Sequence, residues 1–197
     1  MDTEPNLWSD QIDQAVERLA EVFAERSVRY ALIGGLATSL RGRFRTTQDA
    51  DFLVDIPQLT LPFVLDDLVR RGFTLDPMVV IKQYVEENLT AFRFGAVRID
   101  WIKPAVPIYA HIVAGSSSLE WTPGHPVLVA SAEGLILTKM IAFRSQDQID
   151  ISTLITANRD TLNVEFIREE WAFFAPIEPE RTSWLESLIE KLVVRRE

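Results

Sequence analysis

Tyr30-Ala31-Leu32-Ile33-Gly34-Gly35, followed after a short arginine-rich connection by Asp49-Ala50-Asp51-Phe52-Leu53-Val54, is the stretch that decides the fold. The first run reads as an apolar strand entering a tight turn at the glycine pair. Leu36 to Leu40 reads as a short helix, so glycine amides and a helix N-terminus together offer donors to a phosphate. The second run reads as a strand, whose side chains alternate between faces. Ala50, Phe52 and Val54 then enter the core, while Asp49 and Asp51 share the opposite face, with Leu53 beyond them.

Two carboxylates projected side by side repel. At about 4 Å and an effective dielectric of about 20 the cost is roughly 4 kcal/mol, large against a domain stability of about 5–15 kcal/mol. Either the side chains splay into solvent, or a pKa rises, or a cation sits between them. Oxygen-only ligation suits Mg²⁺, which is commonly held by one or two carboxylates plus substrate phosphates. A phosphate cradle followed by such a pair outlines a nucleotide-handling site.

Composition sets the surroundings. A chain of 197 residues, 47% apolar and 25% charged, suits one soluble domain or a domain with an appendage. Cysteine is absent from the sequence, which removes disulfides, zinc–thiolate sites and cysteine nucleophiles together. The acidic start Met1-Asp2-Thr3-Glu4-Pro5 does not resemble a secretory signal, and no apolar run approaches a membrane span, so a cytoplasmic protein with no membrane partner is expected. A net charge of −9 argues against broad affinity for nucleic acid. Arginines nevertheless gather locally: Arg41, Arg43 and Arg45 before the carboxylate strand, Arg93 and Arg98 before Asp100. They read either as a basic phosphate site or as balance for neighbouring acids.

Working outward, Trp8 to Arg26 has the spacing of an amphipathic helix. Pro57 to Arg71 reads as a helix closed by Gly72, and Met78 to Glu87 as another. Thr90–Phe94 and Val97–Ile102 read as a hairpin across Gly95-Ala96. A helix at Ile108–Val113, a loop at Gly115–Ser118 and a strand at Val127–Ala130 follow. Helices then succeed one another at Ala132–Arg144, Asp147–Asn158, Val164–Phe174 and Glu180–Val194. This order predicts an α+β fold, with a mixed-sheet core over residues 1–130 and a helical part over 131–197.

Asp100 lies mid-strand, where an acid is unusual. It shares a face with Arg98 while Ile99 and Trp101 take the other. Beside the Asp49–Val54 strand it joins the first two acids around a metal; otherwise it is an exposed aspartate bridged to Arg98 or Arg93. Lys139 is the one charge in Leu135–Phe143, a segment apolar almost all round a helix. A buried ammonium needs a partner, of which a triphosphate is one, or its head snorkels to water. Asp147 is placed to cap the next helix. His111 and His125 have no acid at ligand spacing, so a zinc or histidine-catalysed site is not expected.

Gly34-Gly35, Arg45-x-Thr47-x-Asp49-x-Asp51 and a later strand Asp100 resemble the nucleotidyltransferase superfamily that includes DNA polymerase β. Ala130-Ser131-Ala132-Glu133-x-Leu135-Ile136-x-x-Lys139 with Arg144-x-x-Asp147-x-x-Asp150-Ile151 resembles its minimal branch, which includes abortive-infection toxins of toxin–antitoxin systems. The resemblance implies that Gly34 and Gly35 contact the triphosphate of an NTP. Asp49, Asp51 and Asp100 would hold two Mg²⁺ ions, and Asp100 would activate the incoming hydroxyl. Arg45 and Thr47 would support the phosphate loop, Lys139 would grip phosphates, and Asp147 and Asp150 match accessory positions. Gly134 departs from the larger residue relatives often carry, so the lysine helix is expected to start differently.

The reading that follows is a Mg²⁺-dependent nucleotidyltransferase moving an NMP to an acceptor hydroxyl on tRNA, protein or a small molecule, with a cognate antitoxin as a further partner. A catalytically silent nucleotide- or partner-binding module of the same fold is the alternative. A sugar-nucleotide glycosyltransferase with an Asp-x-Asp metal site fits less well, because the glycine turn precedes the acids.

Overall fold

A computed structural model of the protein describes residues 7–44 and 46–194. In chain order the elements are α1 (Leu7–Glu25), β1 (Arg29–Ile33), α2 (Gly34–Arg41), β2 (Asp49–Asp55), α3 (Leu61–Arg70), α4 (Pro77–Glu86), β3 (Leu89–Phe94), β4 (Val97–Ile102), α5 (Pro107–Ala114), β5 (Ser117–Thr122) and β6 (His125–Val129). The helices α6 (Ala132–Ala142), α7 (Ser145–Asn158), α8 (Val164–Trp171) and α9 (Pro179–Ile189) follow, and α9 runs on into a π-helical turn at Glu190–Val194. The fold is α+β, built on a mixed sheet. Its Cα packing separates two compact units: Met1–Leu32 with Thr47–Val129, and Ile33–Thr46 with Ala130–Glu197.

In the first unit six strands lie in the order β3-β4-β2-β1-β6-β5. β2 pairs with β4 and β1 with β6 in parallel, while β3–β4 and β5–β6 are antiparallel. Strict alternation along the hairpin sends Thr90, Phe92, Phe94, Val97, Ile99 and Trp101 inward. Its turn needs Gly95, at φ +55°, where a Cβ would lie 2.7 Å from the Gln11 Oε1. Gln11 accepts the Ala96 N–H at 3.0 Å, so α1 clamps the turn directly.

The apolar stripe of α1 (Ile12, Ala15, Val16, Leu19, Val22, Phe23) is buried, as its helical period requires. Phe23 meets Trp101 with ring centroids 5.6 Å apart, and Trp101 meets Phe92 edge-on at 4.8 Å. These rings fill the core behind β2 and β4. Tyr84 of α4 pins the far end of β2: its hydroxyl donates to the Val54 carbonyl at 2.7 Å and accepts the Ile56 N–H at 3.0 Å. Burial pushes this phenol up to about 12, the Ile56 N–H opposing and Asp55 adding to the rise.

Two local expectations are corrected. Ser117 and Ser118, read as loop, open β5, whose residues are too polar to show an apolar period. As an edge strand it is held by its ladder to β6 rather than by a buried face. Gly34 and Gly35, read as the end of the strand, already belong to α2, because β1 stops at Ile33.

In the second unit α6 is buried on nearly every side, from Leu135 to Leu137 and again at Met140. Its start is capped by Ser131, whose hydroxyl accepts the Gly134 N–H at 3.1 Å. The helix ends at Phe143, in the left-handed conformation. Arg181 closes that end, donating to the carbonyls of Met140 and Ile141 at 3.3 and 3.0 Å, with its guanidinium over the Phe143 ring. α2 belongs to this unit too: Arg41 donates to the Ala130 carbonyl at 3.1 Å, and its own carbonyl accepts from Asn158 at 2.7 Å. Asp147 does not cap α7 from the N-cap position, because the helix starts two residues earlier than expected, at Ser145. Asp147 instead occupies the third position and reaches back to the Arg144 N–H.

Candidate active site

Parallel pairing places Asp49 beside Arg98, Ala50 beside Ile99 and Asp51 beside Asp100. Since Ala50, Phe52, Ile99 and Trp101 are buried, the other face of the two strands carries Asp49, Asp51, Arg98 and Asp100. Asp100, far along the sequence from Asp49 and Asp51, therefore shares one small patch of sheet with them. Neighbouring strands run about 4.8 Å apart.

Arg98 sits within this patch. Its Nε and Nη2 grip the Asp100 carboxylate, at 2.8 Å to Oδ2 and 2.8 Å to Oδ1, in the fork geometry that a guanidinium matches well. The Asp100 carboxylate, with Asp49 and Asp51 adding more weakly, raises the Arg98 pKa further above its ordinary value. Asp100 thus stands next to Asp51 in the register and is at the same time bridged to Arg98. On the β3 side, Arg93 is the neighbour of Arg98 and Ala91 the neighbour of Asp100. The row Arg93–Arg98–Asp49 and the row Ala91–Asp100–Asp51 form a small charge grid.

In donor type the patch fits a hard divalent cation: three carboxylates, no nitrogen or sulfur. In the conformation seen, no three acidic or imidazole side chains among the described residues stand where one ion could be held by all. Arg98 occupies the Asp100 oxygens.

The glycine pair lies in the second unit. Gly34 has φ +65°, which only glycine adopts freely. The residue before it, Ile33, is the N-cap of α2 and supplies no side-chain acceptor to the first-turn amides. Within α2, Thr38 and Ser39 donate to the carbonyls of Gly34 and Gly35 at 2.7 and 3.1 Å. Those bonds lie within the helix, whose first-turn amides have no intrahelical acceptor. Thr47 is half-buried just before β2. Arg45 lies outside the described residues.

Lys139 does not snorkel. Its side chain is 5% exposed, and Nζ lies 2.6 Å from Asp150 and 3.6 Å from Asp147. Gln146 donates to the other Asp150 oxygen at 2.9 Å. Burial works against the charged form of Asp147, but the Arg144 side chain and backbone N–H, together with Lys139, hold its pKa below the ordinary carboxylate value. Lys139, Arg144, Asp147 and Asp150 form a compact, charge-balanced cluster joining α6 to α7. The spacing suggested Lys139 and both acids; their mutual pairing, and the part of Gln146, needed the packing of two helices to appear.

No protein-family model matches the chain, and no curated protein matches it in sequence. Solved structures do match. The antigenic nucleotidyltransferase-like protein from Paracoccidioides brasiliensis aligns over 95% of this chain and 98% of its own, with a TM-score of 0.53 and 17% identity. The solution structure of the antibiotic-resistance factor ANT(2'')-Ia aligns over 91% of this chain and 97% of its own, with a TM-score of 0.55 and 16% identity. A crystal structure of ANT(2'')-Ia with adenylyl-2''-tobramycin aligns over 83% and 96%, with a TM-score of 0.53 and 16% identity. The chain therefore has the DNA polymerase β-like nucleotidyltransferase fold that its motifs resembled. At such identities the likeness establishes the fold alone.

Proposed function

We propose that this protein is a nucleotidyltransferase that transfers an NMP from an NTP to an acceptor hydroxyl. The observation that carries the reading is the in-register placement of Asp51 beside Asp100, with Asp49 on the same face. A fold needs no third acid at that position, and like charges there cost stability. Asp49, Asp51 and Asp100 are the residues that would hold Mg²⁺, two ions by the resemblance. Bound there, the metal supplies neutralisation of the charge that develops on the attacking and leaving oxygens.

The chain's own residues divide the remaining work. Asp100 takes the proton of the acceptor hydroxyl as its oxygen bonds to the α-phosphorus and the bond to the pyrophosphate oxygen breaks. Gly34 and Gly35 present backbone N–H groups to the triphosphate, with Arg45 and Thr47 supporting that loop. Lys139, buried against Asp150 and Asp147, would take the phosphate-gripping role that the resemblance gives it only by exchanging those partners for the nucleotide, with the two acids as accessory residues. Positioning and electrostatics supply most of the acceleration in such reactions.

For the acceptor, tRNA, protein side chains and small polyols are the classes to compare. A structural neighbour was crystallised with adenylyl-2''-tobramycin, and a net charge of −9 favours a cationic acceptor such as an aminoglycoside. A role as the toxin of a toxin–antitoxin pair is compatible with the same chemistry and brings a cognate antitoxin as partner.

The direct experiment incubates the protein with each α-labelled NTP, Mg²⁺ and separate pools of tRNA, cell protein and aminoglycosides. Label transfer with pyrophosphate release supports the reading. Native protein that binds Mg-NTP yet labels no pool rejects it. A second reading, a catalytically silent binding module, is favoured by the grip of Arg98 on Asp100; it predicts partner affinity unchanged by Asp51→Asn.

A further inference from the structure

Arg98 holds the carboxylate that the proposed metal site needs most. Its fork engages both Asp100 oxygens, yet its side chain is 51% exposed while that of Asp100 is 16% exposed. The acid is fixed in the sheet surface, and the guanidinium reaches it from solvent. Arg93, its neighbour on β3, is a like charge beside it and biases Arg98 toward the acids rather than away from them. On the other side of Asp100, Ala91 offers no competing polar group.

We infer that Arg98 is a resident counter-ion and positioning residue: it offsets part of the charge of the three-acid patch, must release Asp100 before a divalent ion can be held by all three acids, and so makes the site select a metal–nucleotide complex over free metal. The inference rests on the metal-site reading proposed above. A free divalent ion has to displace the guanidinium and offers it nothing in return. A metal–nucleotide complex brings phosphate oxygens, which a guanidinium binds with the same bidentate geometry as a carboxylate. Arg98 then exchanges one anion for another with its long, half-exposed side chain.

The test is Mn²⁺ binding to the full chain, followed by electron paramagnetic resonance and by calorimetry, with and without a non-hydrolysable NTP. The variants are R98Q, R98K and R98Q/D100N. Without nucleotide, R98Q is expected to bind Mn²⁺ about tenfold or more tightly than the wild type, because one competing charge is gone. R98K falls between them, since an ammonium cannot fork across both oxygens. R98Q/D100N loses the gain; the gain in R98Q itself is what a merely structural role for Arg98 would not predict. With nucleotide present, the gap between wild type and R98Q narrows or reverses. Equal or weaker Mn²⁺ binding by folded R98Q without nucleotide overturns the inference. If the wild type transfers label and R98Q shows no gain, this inference alone falls. If neither protein binds Mn²⁺ under any condition, the metal-site reading falls with it.

Discussion

Asp51 lies directly beside Asp100 in the parallel register of β2 and β4, and both project from the face opposite the buried Phe52 and Trp101. Two carboxylates at the strand spacing of about 4.8 Å repel by roughly 3 kcal/mol at an effective dielectric of 20. A sheet assembled only for stability would place an uncharged side chain at one of the two positions. The cost is offset in part by the Arg98 guanidinium on Asp100, and the uncompensated remainder is what the proposed metal site would use.

Replacing one of these acids separates stability from activity. Asp51→Asn removes a repulsion, so the melting temperature should stay level or rise, most visibly at low salt. Nucleotidyl transfer should fall by about a hundredfold or more, equivalent to about 2.7 kcal/mol of lost transition-state stabilisation. A thermal melt and a labelled-NTP assay on the same preparation check both. An Asp51→Asn protein that melts much earlier would mean that the residue holds the fold instead.

The cluster around Lys139 behaves in the opposite way. Lys139→Met leaves Asp150 and Asp147 buried without their shared cation and should destabilise by about 3–5 kcal/mol. Adding Asp150→Asn should recover much of that loss, because the most closely paired charge is then gone as well. Urea denaturation of the single and double variants measures the coupling. Additive losses would show that the pairing at 2.6 Å contributes nothing of its own.

Asp147 also carries a pH signature. Its pKa in the folded state is lowered: burial opposes this, but bonds from the Arg144 side chain and backbone and the charge of Lys139 outweigh it. A group with a depressed folded pKa binds more protons when unfolded, so its stabilising contribution is present above the unfolded value, about 3.9. That contribution is lost as the pH falls from there through the folded value. Denaturation series at pH 7, 4 and 3 should show an acid loss of stability that is smaller in Asp147→Asn. An equal loss in both proteins would remove Asp147 from the explanation.

Gly34→Ala tests the turn. At φ +65° a Cβ costs about 1–2 kcal/mol, so the melting temperature should fall by a few degrees. Nucleotide affinity should weaken because the first-turn amides move. Mn²⁺ affinity, which depends on Asp49, Asp51 and Asp100, should not change. Loss of Mn²⁺ binding in this variant would contradict the separate roles given to the glycines and the acids.

The alternation that buries Ala50, Phe52, Ile99 and Trp101 was legible residue by residue, because a strand period of two is a local property. From it came the shared face of Asp49 and Asp51, and that of Arg98 and Asp100. The register that joins the two pairs was not legible. It belongs to contacts between distant elements, such as Trp101 packed against Phe23 and Phe92, and nothing in a single strand reports it. β5 was missed because Ser117 and Ser118 carry no apolar signal and an edge strand needs none. The motif of Lys139, Asp147 and Asp150 was visible as spacing, but their ion pairs depend on how α6 and α7 pack. The grouping of residues 33–46 with the C-terminal helices was likewise invisible, since it arises from contacts such as Arg41 with Ala130 and Asn158.

Crystals grown with Mn²⁺ and a non-hydrolysable NTP, recorded at the manganese absorption edge, test the central claim most directly. The expected result is an anomalous peak about 2–2.3 Å from carboxylate oxygens of Asp49, Asp51 and Asp100, with Arg98 turned away from Asp100. Bound nucleotide with no metal on these acids, or with Arg98 still forked onto Asp100, would contradict it.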